Sequence, residues 1–274
     1  MTSLPGVTWF VGCGQMAGAM VEGWRSAGVD LSAAVAVRPS GRPVTGVRTV
    51  RSLAEAGPPP KLVMLGFKPQ QLDVVAAELA PLLTPQTTVL SILAGAEIDS
   101  LWLRFAHVGA IVRAMPNLPV AVRRGVVALY SDDTDKQLRQ TLANLFGVLG
   151  HAPWMTDETG LAAVGSVAGA GPAYVARFIA ALAKAGVQRG LSQEMATTIA
   201  IETVLGTAWM AAANGETMDA LATRVASPNG TTEAGLAVLD EDNELDGLIG
   251  ATIEAAARRG AELAAAARGK FAHN

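Results

Sequence analysis

The run Gly12-Cys13-Gly14-Gln15-Met16-Ala17 is the first stretch whose residue types and spacing suit chemistry. It follows an apolar run at 7–11 and opens a helical pattern at 15–27. In that context Gly12 permits a tight turn and Gly14 lets backbone approach a pyrophosphate. Ala17 lets the helix pack closely on the strand. The free N–H groups of the first helical turn, which include those of Gln15 and Met16, and the helix dipole then offer an anion a positive end. The plainer alternative is an ordinary strand-to-helix turn built of small residues.

The end of the second apolar run chooses between dinucleotides. An NAD-binding chain usually carries Asp or Glu there, about 20 residues after the glycines, to bond the ribose 2′-hydroxyl. Here the residues are Arg38-Pro39-Ser40, with Arg42 close behind. A guanidinium can pair with a 2′-phosphate through a bidentate fork, and Ser40 can add a donor. NADP(H) is therefore expected ahead of NAD(H), unless Arg38 is merely a solvated strand-end residue. Two further strand ends carry Phe67-Lys68-Pro69-Gln70 and Ser91-Ile92-Leu93-Ala94-Gly95. Ligands of doubly wound sheets lie outside the carboxyl edge, so Phe67, Lys68, Pro69, Ala94 and Gly95 join the candidate cofactor residues. Lys68 could instead be a lone surface lysine.

These residues need a scaffold to position them. Short apolar runs at 7–11, 33–37, 47–50, 62–67, 88–93, 108–113 and 126–130 alternate with helical patterns at 15–27, 70–83 and 134–149. Such alternation predicts an α/β fold, a mostly parallel Rossmann-type doubly wound sheet with helices on both faces. From residue 159 onward the pattern is helical throughout, at 159–188, 193–213, 217–225, 232–240 and 244–267. Gly171-Pro172 is expected to break the first of these, and Ser192 to cap the second. The expected organisation is a dinucleotide-binding domain at 1–154 and an all-α domain at 155–274.

Composition narrows the partners. Half of the 274 residues are hydrophobic and 16% are charged, which describes a globular chain rather than a disordered one. The net charge of −3 and the absence of a Lys/Arg block give nucleic acid no track to follow. With one cysteine and three histidines, no disulfide within the chain and no metal site are expected. Cys13 itself reads as a small filler behind the glycine turn. No basic segment followed by an apolar one opens the chain, and the apolar stretch at 161–187 carries Arg177 and Lys184. A cytoplasmic protein without a membrane span is expected.

Three more segments complete the picture: Arg113-Ala114-Met115-Pro116-Asn117-Leu118-Pro119, Gly169-Ala170-Gly171-Pro172-Ala173-Tyr174 and Ser227-Pro228-Asn229-Gly230-Thr231-Thr232. With the glycine loop and Phe67-Lys68-Pro69-Gln70, they resemble pyrroline-5-carboxylate reductases in order and spacing over nearly the whole chain. The resemblance implies reduction of 1-pyrroline-5-carboxylate to L-proline, the last step of proline biosynthesis, by NADPH or NADH. It also implies a homodimer with interlocked helical domains, assembled in many members into a pentamer of dimers. Asn117 then counts among the cofactor residues. Asn229, Gly230, Thr231 and Thr232 would hold the substrate, backbone N–H groups on its carboxylate and the Thr232 hydroxyl, the catalytic candidate, on its ring nitrogen. Glu158 would face the substrate, or else simply match the helix dipole.

The chain also departs from the family pattern. Ala168 and Ala170 stand where serines are usual, Gly165 where Thr is common, Asn229 where the first loop glycine is usual, and Arg224 where a polar residue is usual. Asn tolerates positive φ, so the turn at 229 should survive. The altered residues leave room for another cyclic imine or carbonyl substrate, or for a catalytically weak NADP-binding regulator. A β-hydroxyacid dehydrogenase fits less well, because residues 169–177 lack the lysine that such enzymes carry there.

Overall fold

The computed structural model describes residues 3–268. Six strands run parallel: β1 (Thr8–Val11), β2 (Ala34–Val37), β3 (Arg48–Val50), β4 (Leu62–Leu65), β5 (Thr88–Ser91) and β6 (Ala110–Pro116). Their spatial order is β3-β2-β1-β4-β5-β6. The order reverses at β1, which sets the glycine turn after β1 at the point where doubly wound sheets bind ligands. β7 (Gly125–Tyr130) then returns antiparallel to β6, because the chain between them holds only a tight turn over Leu118–Val122 and no crossover helix. β8 (Gly150–His151) pairs with β7 and ends the sheet.

Side-chain alternation along β1 builds two cores. Trp9 and Val11 enter one face and Phe10 the other. The Phe10 side receives α1 (Gln15–Ser26), whose Trp24 stacks on Phe10 at 5.9 Å and donates from Nε1 to the Leu145 carbonyl at 2.8 Å. The other side receives α2 (Leu72–Leu79), shorter than the helix expected over 70–83. Pro69 and Pro81 turn its two ends into tighter single turns. The five-residue α3 (Ile98–Trp102) follows β5; it is too short to show a helical period in sequence. α4 (Lys136–Gly147) packs Leu142, Leu145 and Phe146 into the Phe10 core.

Two compact units emerge. One contains the sheet, its helices and the chain to Ala170, with the end of the last helix from Ala256 on; the other is Gly171–Ala255. The 154/155 boundary expected from sequence follows the end of the sheet, whereas the units divide beyond it. α5 (Glu158–Val164) stays with the first unit through buried Leu161 and the ion pair of Glu158 with Arg113.

The second unit contains α6 (Gly171–Gln188), α7 (Gln193–Asn214), α8 (Met218–Val225), α9 (Thr231–Asp240) and the start of α10 (Glu244–Arg268). α6 and α7 meet on small residues, with Ala183, Ala196 and Ala200 buried. The expected break at Gly171-Pro172 is not there: helical structure continues through Glu158–Gln188. A wider π turn over Gly165–Gly169 precedes the proline. Pro172 has no N–H for the Ala168 carbonyl four residues back, and Asn117 Nδ2 donates to that carbonyl at 3.0 Å.

The runs Glu158–Gln188 and Gln193–Asn214 are long and apolar enough to cross a membrane by length and composition. Much of their apolar surface is uncovered in the single chain; Phe178 and Leu205 are each more than half exposed.

Candidate functional site

A groove of about 840 Å³ opens along the carboxyl edge of the sheet. Gly12, Gly14 and Gln15 line it, as do Arg38, Pro39, Ser40, Phe67 and Lys68. The backbone explains the glycines. Gly12 has φ +77°, and a Cβ there would stand 2.7 Å from Phe67 Cβ and 2.8 Å from its backbone nitrogen. A Cβ on Gly66 would meet the Gly12 carbonyl at 2.5 Å and Ala17 Cβ at 3.1 Å. Gly14, by contrast, faces open space: its nearest neighbour would be the Gly66 carbonyl at 3.9 Å. It precedes α1 without any side-chain cap. This is a cradle open to a pyrophosphate, as the donor geometry of a dinucleotide site requires.

Three candidates support the groove from behind or beside it. Ala17 is buried against Gly66, Met16 packs on the Phe10 core, and Pro69 starts the turn into α2. Cys13 is buried, and burial pushes its thiol up to about 11 despite the nearby Arg38 charge. That fits an inert filler rather than a nucleophile.

The 38–42 turn is preformed. Gly41 (φ +64°) donates its N–H to the Arg38 carbonyl at 2.8 Å, and the Ser40 hydroxyl accepts from the Arg42 N–H at 3.3 Å. The Arg38 guanidinium donates to the Arg42 carbonyl at 3.1 Å. Sequence reasoning passed over Arg51, Ser52 and Glu78, which also line the groove. The signal lay in strand register rather than in a motif.

Ala94 and Gly95 follow β5 outside the lining of this groove. Gly95 (φ +77°) turns the chain and backs onto Leu263 and Ala264, about 3.1 Å from where its Cβ would stand. Nearby, Glu158 Oε1 accepts from the Ile98 N–H at 2.9 Å and from Arg113 Nη1. Expected to face a substrate, Glu158 is the counter-ion of a guanidinium only 9% exposed and fixes the start of α3. Asn117 does not line the groove either. It is buried, its Oδ1 accepts from the Val126 N–H at 2.8 Å, and its Nδ2 serves Ala168. Gly165 leaves space for Met115, whose Cε would lie 3.2 Å from an added Cβ.

In the helical unit, residues 227–230 form a closed turn. The Gly230 N–H donates to the Ser227 carbonyl at 2.9 Å, and Asn229 adopts φ +57°. The expected survival of this turn with Asn at 229 is what the backbone shows. Glu233 Oε2 accepts the Asn229 N–H at 2.5 Å. A side chain on Gly230 would meet Ser227 Oγ at 2.5 Å. The N-termini of α4, α5, α7 and α8 are capped by Asp135, Asp157, Ser192 and Thr217, whereas α9 has no side-chain cap.

Thr232 differs from six of the helix-interior threonines. Thr141, Thr197, Thr203, Thr207, Thr223 and Thr252 each donate to the carbonyl four residues back. Thr232 is the second residue of α9 and has no helical carbonyl behind it. Its half-buried hydroxyl has no partner among the described residues. Arg224 is paired with Glu216 at 2.7 Å.

Comparison with known proteins agrees with this arrangement. Residues 158–263 match the pyrroline-5-carboxylate reductase dimerisation family. The pyrroline-5-carboxylate reductase of Pseudomonas aeruginosa is 35% identical over 93% of this chain and 96% of its own length. That of Pisum sativum is 33% identical over 93% and 94%. Among solved structures, a pyrroline-5-carboxylate reductase from Coxiella burnetii has a TM-score of 0.85 and 30% identity, covering 95% of this chain and 99% of that one. The Plasmodium falciparum pyrroline carboxylate reductase, solved with NADP bound, has a TM-score of 0.85 and 25% identity over 95% and 98%. Sheet, helical unit and sequence together show that this chain is an oxidoreductase belonging to the pyrroline-5-carboxylate reductase family.

Proposed function

We propose that this protein reduces 1-pyrroline-5-carboxylate to L-proline, with NADPH preferred and NADH as the second reductant. The observation that carries the substrate assignment is the uncapped start of α9, where a free Thr232 hydroxyl stands beside unsatisfied backbone donors. N–H groups of Thr231 and Thr232 suit a carboxylate, with Asn229 and Gly230 shaping the turn. Thr232 suits the ring nitrogen, donating to the neutral imine or accepting from its protonated form. A reduced nicotinamide, when bound, supplies the hydride to the C=N carbon. The imine takes up a proton of its own, so no buried strong acid is required of the chain.

Gly12, Gly14, Gln15, Met16 and Ala17 support the pyrophosphate, with Phe67, Lys68 and Pro69 along the groove and Ala94 and Gly95 at the β5 edge. The Plasmodium relative solved with NADP supports a nicotinamide cofactor. Arg38 and Ser40 support the phosphorylated form. Glu158, whose second carboxylate oxygen is outside its contacts with Arg113 and Ile98, stays a substrate-site candidate, and Asn117 a cofactor-site candidate that also positions the end of β6.

Apolar faces such as those of Phe178 and Leu205 suit a second copy of the chain, in line with the matched dimerisation family. A homodimer with interlocked helical units follows, with a pentamer of dimers as its larger form, in the cytoplasm. The deciding assay mixes purified protein with NADPH and 1-pyrroline-5-carboxylate and follows loss of cofactor absorbance. Turnover supports the assignment. Cofactor binding without turnover overturns it, and turnover with a different cyclic imine alone selects an altered substrate pocket.

A further inference from the structure

Arg38 does not stand alone at the end of its strand. β2 and β3 are parallel, and their register pairs Val37 with Val50. The next residue on each strand is an arginine, Arg38 on one and Arg51 on the other, so parallel pairing delivers two arginines side by side at the carboxyl edge. The ladder continues one step further, with the Arg38 N–H donating to the Val50 carbonyl at 2.8 Å. Both residues line the same groove as Ser40.

The Arg51 guanidinium is seated on the 38–42 turn. Its Nε lies 2.7 Å and its Cζ 3.3 Å from where a Cβ on Gly41 would stand. Gly41 therefore does two things: it adopts the left-handed conformation of the turn, and it leaves the space that the guanidinium fills. Among the described residues, no carboxylate forms an ion pair with Arg38 or Arg51, and Glu78, which lines the same groove, pairs with neither. Two adjacent cations without a counter-ion repel each other unless an anion bridges them. A phosphomonoester dianion fits, because each planar fork can engage its oxygens.

We infer that Arg51 is a second specificity-determining residue, which joins Arg38 in a two-guanidinium seat for a phosphate on the ribose 2′-oxygen. The inference rests on the reading that NADPH is the preferred reductant. It adds that β3, not only β2, sets the choice.

The test is calorimetric titration of NADPH and NADH into the purified full-length protein and its Arg38→Ala, Arg51→Ala and Gly41→Ala variants. The readout is the ratio of the two affinities within each protein, which an overall loss of folded material leaves unchanged. Losing one charge-assisted contact should lower that ratio by about 10- to 100-fold in Arg51→Ala. Gly41→Ala, which displaces the same guanidinium, should lower it too. A fall of less than about threefold in Arg51→Ala, with Arg38→Ala still lowering the ratio, overturns the role of Arg51 and leaves the NADPH reading standing. A wild-type ratio near one overturns the NADPH reading and the inference with it.

Discussion

The side-chain amide of Asn117 donates to the carbonyl of Ala168, the acceptor that Pro172 cannot serve. One residue thus ties the exit of β6 to a helix that would otherwise lose a hydrogen bond where its π turn meets a proline. Its side-chain carbonyl holds the start of β7 by accepting the Val126 N–H. Asn117→Ala leaves a buried donor and a buried acceptor unserved and should cost about 2–4 kcal/mol. Asn117→Asp keeps the Val126 contact but sets a carboxylate against a carbonyl, and should be no better. Urea midpoints at fixed protein concentration check both.

Glu158 and Arg113 form a pair in which the arginine is buried and the acid partly exposed. Glu158→Ala strands the guanidinium and releases the Ile98 N–H, at a cost of about 2 kcal/mol for this partly buried pair. Replacing both partners by apolar residues, Arg113→Met with Glu158→Leu, should recover part of the loss, because no charge is then left buried without a partner. A double variant no more stable than Glu158→Ala would show that the pair is not the source of the effect.

Thr232→Ala should lower turnover by roughly 10-fold or more, the worth of one hydrogen bond to a reacting nitrogen. Its melting temperature should stay near that of the parent, because the hydroxyl has no protein partner to lose. Thr232→Ser should retain most of the rate. Unchanged turnover in Thr232→Ala removes this residue from the reaction.

Gly12→Ala places a methyl group against Phe67 at a positive φ. The turn must open to admit it, and dinucleotide affinity should fall by at least about 10-fold. Both NADPH and NADH should be affected alike, which separates this effect from any at Arg38. Fluorescence titration with each dinucleotide reads the difference.

The Cys13 thiol ionises only near pH 11 in the folded chain, against an ordinary value of 9.0. Above pH 9 the unfolded chain releases this proton while the folded chain keeps it, so stability falls as pH rises through that window. The loss attributable to Cys13 should be on the order of 2 kcal/mol by pH 11, and absent below pH 9. Cys13→Ala should flatten the denaturation midpoint between those limits relative to the parent protein. At neutral pH the buried neutral thiol should resist alkylation.

Most of the sheet and the glycine cradle could be read directly from sequence, because β1 and α1 carry strong local patterns: Trp9, Phe10 and Val11, then a glycine turn, then Met20 and Trp24 one helical turn apart. What escaped reading was set by contacts distant in sequence. α3 is too short to show a period, and β8 has two residues. Pro172 suggested a break because its rescue comes from Asn117, 55 positions earlier by residue number. Glu158 and Asn117 carry the polarity expected of ligand contacts, and only the fold shows that the Asn117 amide and one Glu158 carboxylate oxygen are already engaged. Arg51 became visible only once the register of β2 with β3 was known.

The bare apolar faces of α6 and α7 carry a consequence of their own. With a second copy as their cover, folding and association are one equilibrium, and the melting temperature becomes a function of concentration. For such a chain, dilution alone acts as a denaturant.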